Sequence, residues 1–217
     1  FAQWAGLLLS VLILKNLIYN ENFKIKLLFN LYFYKDKNFN LILNISKDFF
    51  IRTLCIIFAE FFLINNSAKL GNNSLAIIQI YIVFLSFISY GLDAFAHAAE
   101  TLLGQSFGKK DKTTSIIVVI KTLILGIILA IFISIFLLIF GKHIFLIFTS
   151  IEDVINGCIA LTPYLIILPL ISVWAFMFDG FFIGAAKSKP MRDSTIFSFG
   201  VFLLLNFFIM QTSPSIK

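Results

Sequence analysis

The sequence predicts an all-α polytopic membrane protein with about six transmembrane helices, and three observations carry that expectation. Of 217 residues, 60% are hydrophobic and only 13% charged, whereas soluble domains run about half apolar and a quarter charged. The apolar residues gather in six runs, near 2–19, 49–66, 74–104, 114–140, 158–184 and 194–212, and a helix needs about 20 residues to cross hydrocarbon. The basic residues, finally, gather between the runs in an alternating pattern.

If the first run enters from outside, the gaps 20–48, 105–113 and 185–193 face the cytoplasm. With Lys15, Arg52 and Lys121 at the inner helix ends, they hold fourteen of the seventeen Lys and Arg residues. Such asymmetry sets orientation. It explains the net charge of +6 without a nucleic-acid partner. The expected partner is the lipid bilayer, and the expected location the inner (plasma) membrane, crossed several times.

The runs are justified in order. Residues 1–19 form the first helix; no initiator Met or basic segment precedes Phe1, so a cleaved signal peptide is not expected and the chain reads as part of a longer protein. The gap 20–48, ENFKIKLLFNLYFYKDKNFNLILNISKD, mixes Leu, Phe and Tyr with Lys. It reads as a basic cytoplasmic linker, or as a helix lying along the inner headgroups. The remainder, 49–217, reads as one helix bundle. Its second run holds Glu60 near mid-bilayer, with no base in the same helix placed to neutralise it, and Asn65 and Asn66 near the outer end. An isolated carboxylate there is either protonated or faces a wet cavity. Cys55 falls near the inner end of the second helix and Cys158 near the outer end of the fifth, on opposite sides of the bilayer, which excludes a disulfide, and neither has metal-ligand spacing. Both read as packing residues.

The run 74–104 asks most of the membrane. Asp93, His97 and Glu100 are spaced i, i+4, i+7 and share one helical face with Ser86, Ser89 and Tyr90. Two central carboxylates cost roughly 5–7 kcal/mol on insertion scales, against about 3–7 returned by the apolar residues between 75 and 92. That near-cancellation requires the polar face to meet a bundle or a wet cavity. The run is also long, about 46 Å at 1.5 Å per residue, so Asp93 and Glu100 fall toward the inner end. Glu100 reads either as a structural ion pair with Lys109, Lys110 or Arg192, or as part of a transport path. Asp93 reads as functional, and His97 as a hydrogen-bonded packing residue. In the fifth run, Pro163 and Pro169 remove backbone donors and should bend or break the helix as a hinge. Asp179 below them is either a gating acid or a pair for Arg192.

Several pieces resemble the family of multidrug and toxic compound extrusion (MATE) transporters, in its DinF-like branch. They are IRTLCIIFAEFF, YGLDAFAHAAETLLGQSFGKKD, LPLISVWAFMFDGFFIGA and the following MRDS. The second carries the pattern LD-x-FA-x-AAE-x-LLGQ-x-x-G, which includes Gln105. The resemblance implies a twelve-helix fold of two pseudo-symmetric lobes. This chain would supply the last helix of the first lobe and most of the second, C-terminally truncated. It implies export of organic cations or other xenobiotics by alternating access, in exchange for H⁺ or Na⁺ as the coupling ion. It also implies that the missing N-terminal lobe is a partner. The family's coupling carboxylate in the first helix has no counterpart here, His97 and Ala94 depart from the usual residues, and Glu60 rests on burial physics alone. On this basis Glu60, Asp93, Glu100 and Asp179 are candidate coupling or cargo acids, with Tyr90, His97, Gln105, Asn66 and Arg192 secondary.

Other classes fare worse. A flippase for lipid or lipid-linked precursors would want several cations at mid-membrane for phosphate, where this sequence has none. A non-transporting scaffold would pair its acids at the rim. An enzyme would need a nucleophile–base pair or metal cluster. His97 and His143 lie on different helices, and HExxH, GxSxG and phosphate-loop patterns are missing. No catalytic residue, metal or cofactor is therefore expected.

Overall fold

The computed structural model describes residues 2–20 and 37–212. They form six α-helices: α1 Ala2–Asn20, α2 Lys37–Lys69, α3 Asn72–Gly108, α4 Lys112–Phe148, α5 Glu152–Gly184 and α6 Ser188–Thr212. Each contains one of the apolar runs, and no strand occurs among the described residues. Helices α3 to α6 are long and apolar enough to cross a membrane. Helix α2 dilutes its apolar run with Lys47, Asp48, Arg52 and Glu60, and α1 contributes the shorter apolar stretch Trp4–Ile13. The chain is an all-α, multi-pass membrane protein.

Two compact units divide within α2, Phe1–Asn44 and Ile45–Lys217. In the first, the described side chains of α1 from Trp4 to Ile13 are exposed, as suits a helix apolar all round. Most of the expected linker, residues 21–36, lies outside the described residues. From Lys37 onward that segment is already helical.

The second unit is built from hairpins whose turns have local causes. Gly71 separates α2 from α3 at φ 106°, a backbone conformation that glycine adopts without penalty. After α3, Lys110 takes a left-handed conformation and the 109–111 turn folds back, with Asp111 N–H donating to the Ser106 carbonyl at 3.0 Å. Asp111 then caps α4, accepting from the Thr114 N–H at 3.1 Å and the Thr114 hydroxyl at 2.6 Å. An equivalent turn ends α5, where Lys187 N–H reaches the Phe182 carbonyl at 2.8 Å.

Helices α3, α4 and α5 make the core. Ile80, Phe84, Ile88, Leu92, Ala99 and Leu103 of α3 form one buried stripe at i+3 and i+4 spacing. It packs against Ala130, Ile133, Leu137 and Phe145 of α4, and against Val154, Cys158, Leu165, Val173 and Met177 of α5. Small residues bring α3 and α5 close. A methyl group at Gly184 would meet the Glu100 carbonyl oxygen at 2.7 Å, and one at Gly180 would overlap the Ala96 backbone. Gly180 and Gly184 are thus a small-xxx-small contact, the means by which membrane helices approach when lipid offers no hydrophobic drive. One expectation is corrected. Pro163 and Pro169 lie inside an uninterrupted α5, so neither breaks the helix. Thr162 and Ser172 hydroxyls bond to the Cys158 and Leu168 carbonyls at 3.0 and 2.7 Å nearby, while the carbonyls that the two prolines leave without a backbone donor are those of Ile159 and Leu165, four residues before each.

Candidate functional site: a polar seam between α2, α5 and α6

The polar face of α3 lies beside the buried stripe rather than on it. Asp93 and Glu100 are half-buried, one position along the helix from Leu92 and Ala99. Because Ala96 packs on Gly180, α3 and α5 touch where their acids project. Asp93, one turn before Ala96, and Asp179, beside Gly180, therefore fall on the same stretch of the α3–α5 contact. Between α2 and α5, the Arg52 Nη2 donates to Asp179 Oδ2, and both side chains are about four-fifths covered, at 23% and 21% exposure. Asp93 makes no hydrogen bond or ion pair among the described residues.

Asp179 also lines a cavity of about 640 Å³ between α2, α5 and α6, together with Phe178, Phe182, Ser194, Thr195 and Ser198. Trp174, Phe178 and Phe182 stand one turn apart on α5. Their successive ring centroids are 6.5 and 6.4 Å apart, and each pair is tilted by 30°. They form an aromatic ladder running past the acid. On the α2 side, Ile56 reaches the same cavity. Arg52, Ile56 and Glu60 share one helical stripe at i, i+4, i+8. Glu60 is half-buried and has no side-chain partner among the described residues.

Polar contacts tie α2 to α6 at both ends of the seam. The Asp48 carboxylate is 3% exposed; it accepts from the Ser188 hydroxyl at 2.5 Å and from Arg192 Nη1 at 2.6 Å. The Ser188 bond, with help from the Arg192 charge, holds this carboxyl below its usual range despite burial. At the other end, the Asn66 amide donates to Asn206 Oδ1 at 2.9 Å.

Several sequence expectations change. Arg192 pairs with Asp48, about three turns into α2, and with Asp193, not with Asp179 or Glu100, which meet Arg52 and His97 instead. Glu100 meets His97, one turn back, at 3.3 Å, rather than Lys109 or Lys110. The His97 side chain is 74% exposed, so it is not a packing residue. Tyr90 is 76% exposed and Gln105 is exposed; neither lines the Asp179 cavity. Among the described residues no three His, Cys, Asp or Glu side chains gather as a metal site.

A smaller, wholly apolar hollow lies elsewhere. A cavity of about 380 Å³ between α3 and α4, lined by Phe84, Phe87, Phe132, Phe136 and neighbours, offers no polar surface. It has no carboxylate to hold a cation.

The MatE family matches residues 40–208, most of the chain and every residue of the seam. The chain belongs to the MatE family. It is also 27% identical over 157 residues to DNA damage-inducible protein F of Escherichia coli strain K12, an alignment covering 72% of this chain and 34% of that protein. The chain thus spans about a third of the length of that relative. No solved structure matches. Within this MatE chain, Arg52 and the α5 aromatic ladder are what sequence reasoning missed. Arg52 looked like one more orientation-setting cation, and only the fold shows that it turns toward Asp179. The ladder was legible as W-x3-F-x3-F, but 28 phenylalanines hide such a pattern.

Proposed function

We propose that this MatE chain forms the cargo-binding half of a secondary antiporter in the inner membrane. It would export organic cations or other xenobiotics in exchange for H⁺ or Na⁺, working with a first lobe by alternating access. One observation carries the reading. A carboxylate, Asp179, opens onto a roomy cavity walled by the tilted rings of Phe178 and Phe182 and by hydroxyls, inside helices otherwise built for lipid. A planar cation gains there from charge attraction and from the ring faces, each cation–π contact contributing about 0.5–2 kcal/mol when desolvated. Coupling follows from competition: a proton or Na⁺ that neutralises Asp179 or its neighbour Asp93 weakens the hold on the cation. Glu60 extends the acidic path along α2. Glu100, with His97, lies farther from the cavity and would act at its inner mouth. No catalytic chemistry is required.

Binding of ethidium to the purified chain in detergent, followed by fluorescence anisotropy, tests the reading directly. Asp179→Asn should weaken binding at least about tenfold, and raised proton or Na⁺ concentration should compete. Binding indifferent to Asp179 would remove this site from the function. Efflux in proteoliposomes containing both lobes, driven by a proton or a Na⁺ gradient, would identify the coupling ion.

A further inference from the structure

We propose that Arg52 is a tethered counter-ion: its guanidinium occupies the Asp179 carboxylate that cationic cargo would use, and cargo binds by displacing it onto Asp93. The inference rests on the cargo site proposed above and specifies how that site behaves when empty.

Four observations converge on it. Arg52 bonds Asp179 through one carboxylate oxygen, Oδ2, while Asp179 remains part of the cavity wall. The site is therefore filled yet accessible. A guanidinium is planar, permanently charged and weakly hydrated, so it resembles the flat cations an aromatic ladder favours. Asp93 stands one turn before Ala96, which packs on Gly180 next to Asp179, and it lacks a partner among the described residues. An ion pair that merely tied α2 to α5 would need one acid; the second gives the guanidinium somewhere to go. Finally, the charges balance. Two carboxylates and one guanidinium leave one negative charge, which a single monovalent cation neutralises. Displacement then costs no unpaired charge, whereas exposing a bare guanidinium in a half-buried site would be expensive.

The device sets specificity. A cargo must hold Asp179 better than Arg52 does, which rejects weak or heavily hydrated cations and admits planar, aromatic ones. It also keeps the empty acid from standing unpaired among apolar helices.

Ethidium binding to the full chain in detergent reads each step. Arg52→Gln removes the competitor and should tighten binding about tenfold. Asp93→Asn strands the guanidinium on Asp179 and should weaken binding several-fold. In the Arg52→Gln background, Asp93→Asn should then have little effect, because Asp93 acts through Arg52; this double-mutant cycle separates relay from direct contact. Should Arg52→Gln leave affinity unchanged or weaken it in folded protein, the displacement idea is wrong. If Arg52→Gln does not fold, Asp93→Asn alone decides, and unchanged affinity in that variant overturns the proposal. Loss of ethidium binding in Asp179→Asn with no tightening in Arg52→Gln would sink only the counter-ion role. Indifference to Asp179→Asn would sink the cargo site beneath it.

Discussion

The α3–α4–α5 core and the α2–α5–α6 seam share a helix yet follow opposite rules. In the core, α5 offers Val173, Met177 and the two glycines, and everything that meets them is apolar or backbone. In the seam, a neighbouring face of the same helix offers Phe178, Asp179 and Phe182 to a cavity edged by hydroxyls. Dispersion and close approach dominate the first region, where a buried hydrogen bond from the Ser115 hydroxyl to Ser106 at 2.9 Å also joins α4 to α3 at one end, while ion pairs and hydrogen bonds between half-buried groups hold the second. Tight packing on one side of α5 fixes where the acid stands on the other. Polar bonds that exchange partners at little cost suit a surface that must open.

Breaking the core should therefore do most damage. Gly180→Leu drives a side chain into the Ala96 backbone, and overpacking of this kind costs about 1–3 kcal/mol or more. The thermal midpoint in detergent should fall sharply, and ethidium binding should disappear with it as Asp179 moves. An unchanged midpoint would show that α3 and α5 do not meet there. Next in size is the aromatic contrast. Phe178→Ala should weaken ethidium binding about threefold to fivefold, near 1 kcal/mol for one lost ring face. Phe87→Ala, in the purely apolar hollow of α3 and α4, should leave affinity unchanged. Equal effects would mean that the ladder has no special role.

How far the sequence revealed this contrast depends on the kind of interaction. Helix number and the buried stripe of α3 follow from apolar runs and 3.6-residue periodicity, and the acids at 60, 93 and 179 stand out against hydrocarbon. Pairings are a different matter. Arg52 and Asp179 are 127 positions apart, and Asp48 and Arg192 are 144 apart, so only the packing of α2 on α5 and α6 decides them. The same holds for Asp93 and Asp179, whose proximity depends on two glycines that a sequence scan reads as ordinary. Of the bend or break expected at the prolines, the structure excludes the break, since α5 continues through both.

The clamp at the start of α6 gives a smaller, pH-dependent effect. Since the Asp48 carboxyl is held below its ordinary value of 3.8, its contribution is complete above that value. It is lost as the pH falls below it and the carboxyl takes up a proton. Amide exchange at the first turn of α6 should stay slow from pH 6 to pH 4 and quicken only at lower pH. Asp48→Asn should abolish that acid dependence. An acid dependence that persists in Asp48→Asn would overturn the assignment to this carboxylate.

The smallest effect separates the two regions by one residue type. Ser188 in the seam donates to a buried carboxylate at 2.5 Å, so Ser188→Ala leaves Asp48 short of a donor and should cost about 1–2 kcal/mol. Ser134 in α4 is 5% exposed, and its hydroxyl has no bonding partner. Ser134→Ala removes a desolvated hydroxyl from the dry core and installs a better helix former. Its thermal midpoint in the same detergent should hold or rise, by about 1 kcal/mol at most. The opposite signs are the test. A loss of stability in Ser134→Ala comparable to that in Ser188→Ala would mean that the core hides a hydrogen-bonded polar contact, and that the division between a dry core and a polar seam is drawn in the wrong place.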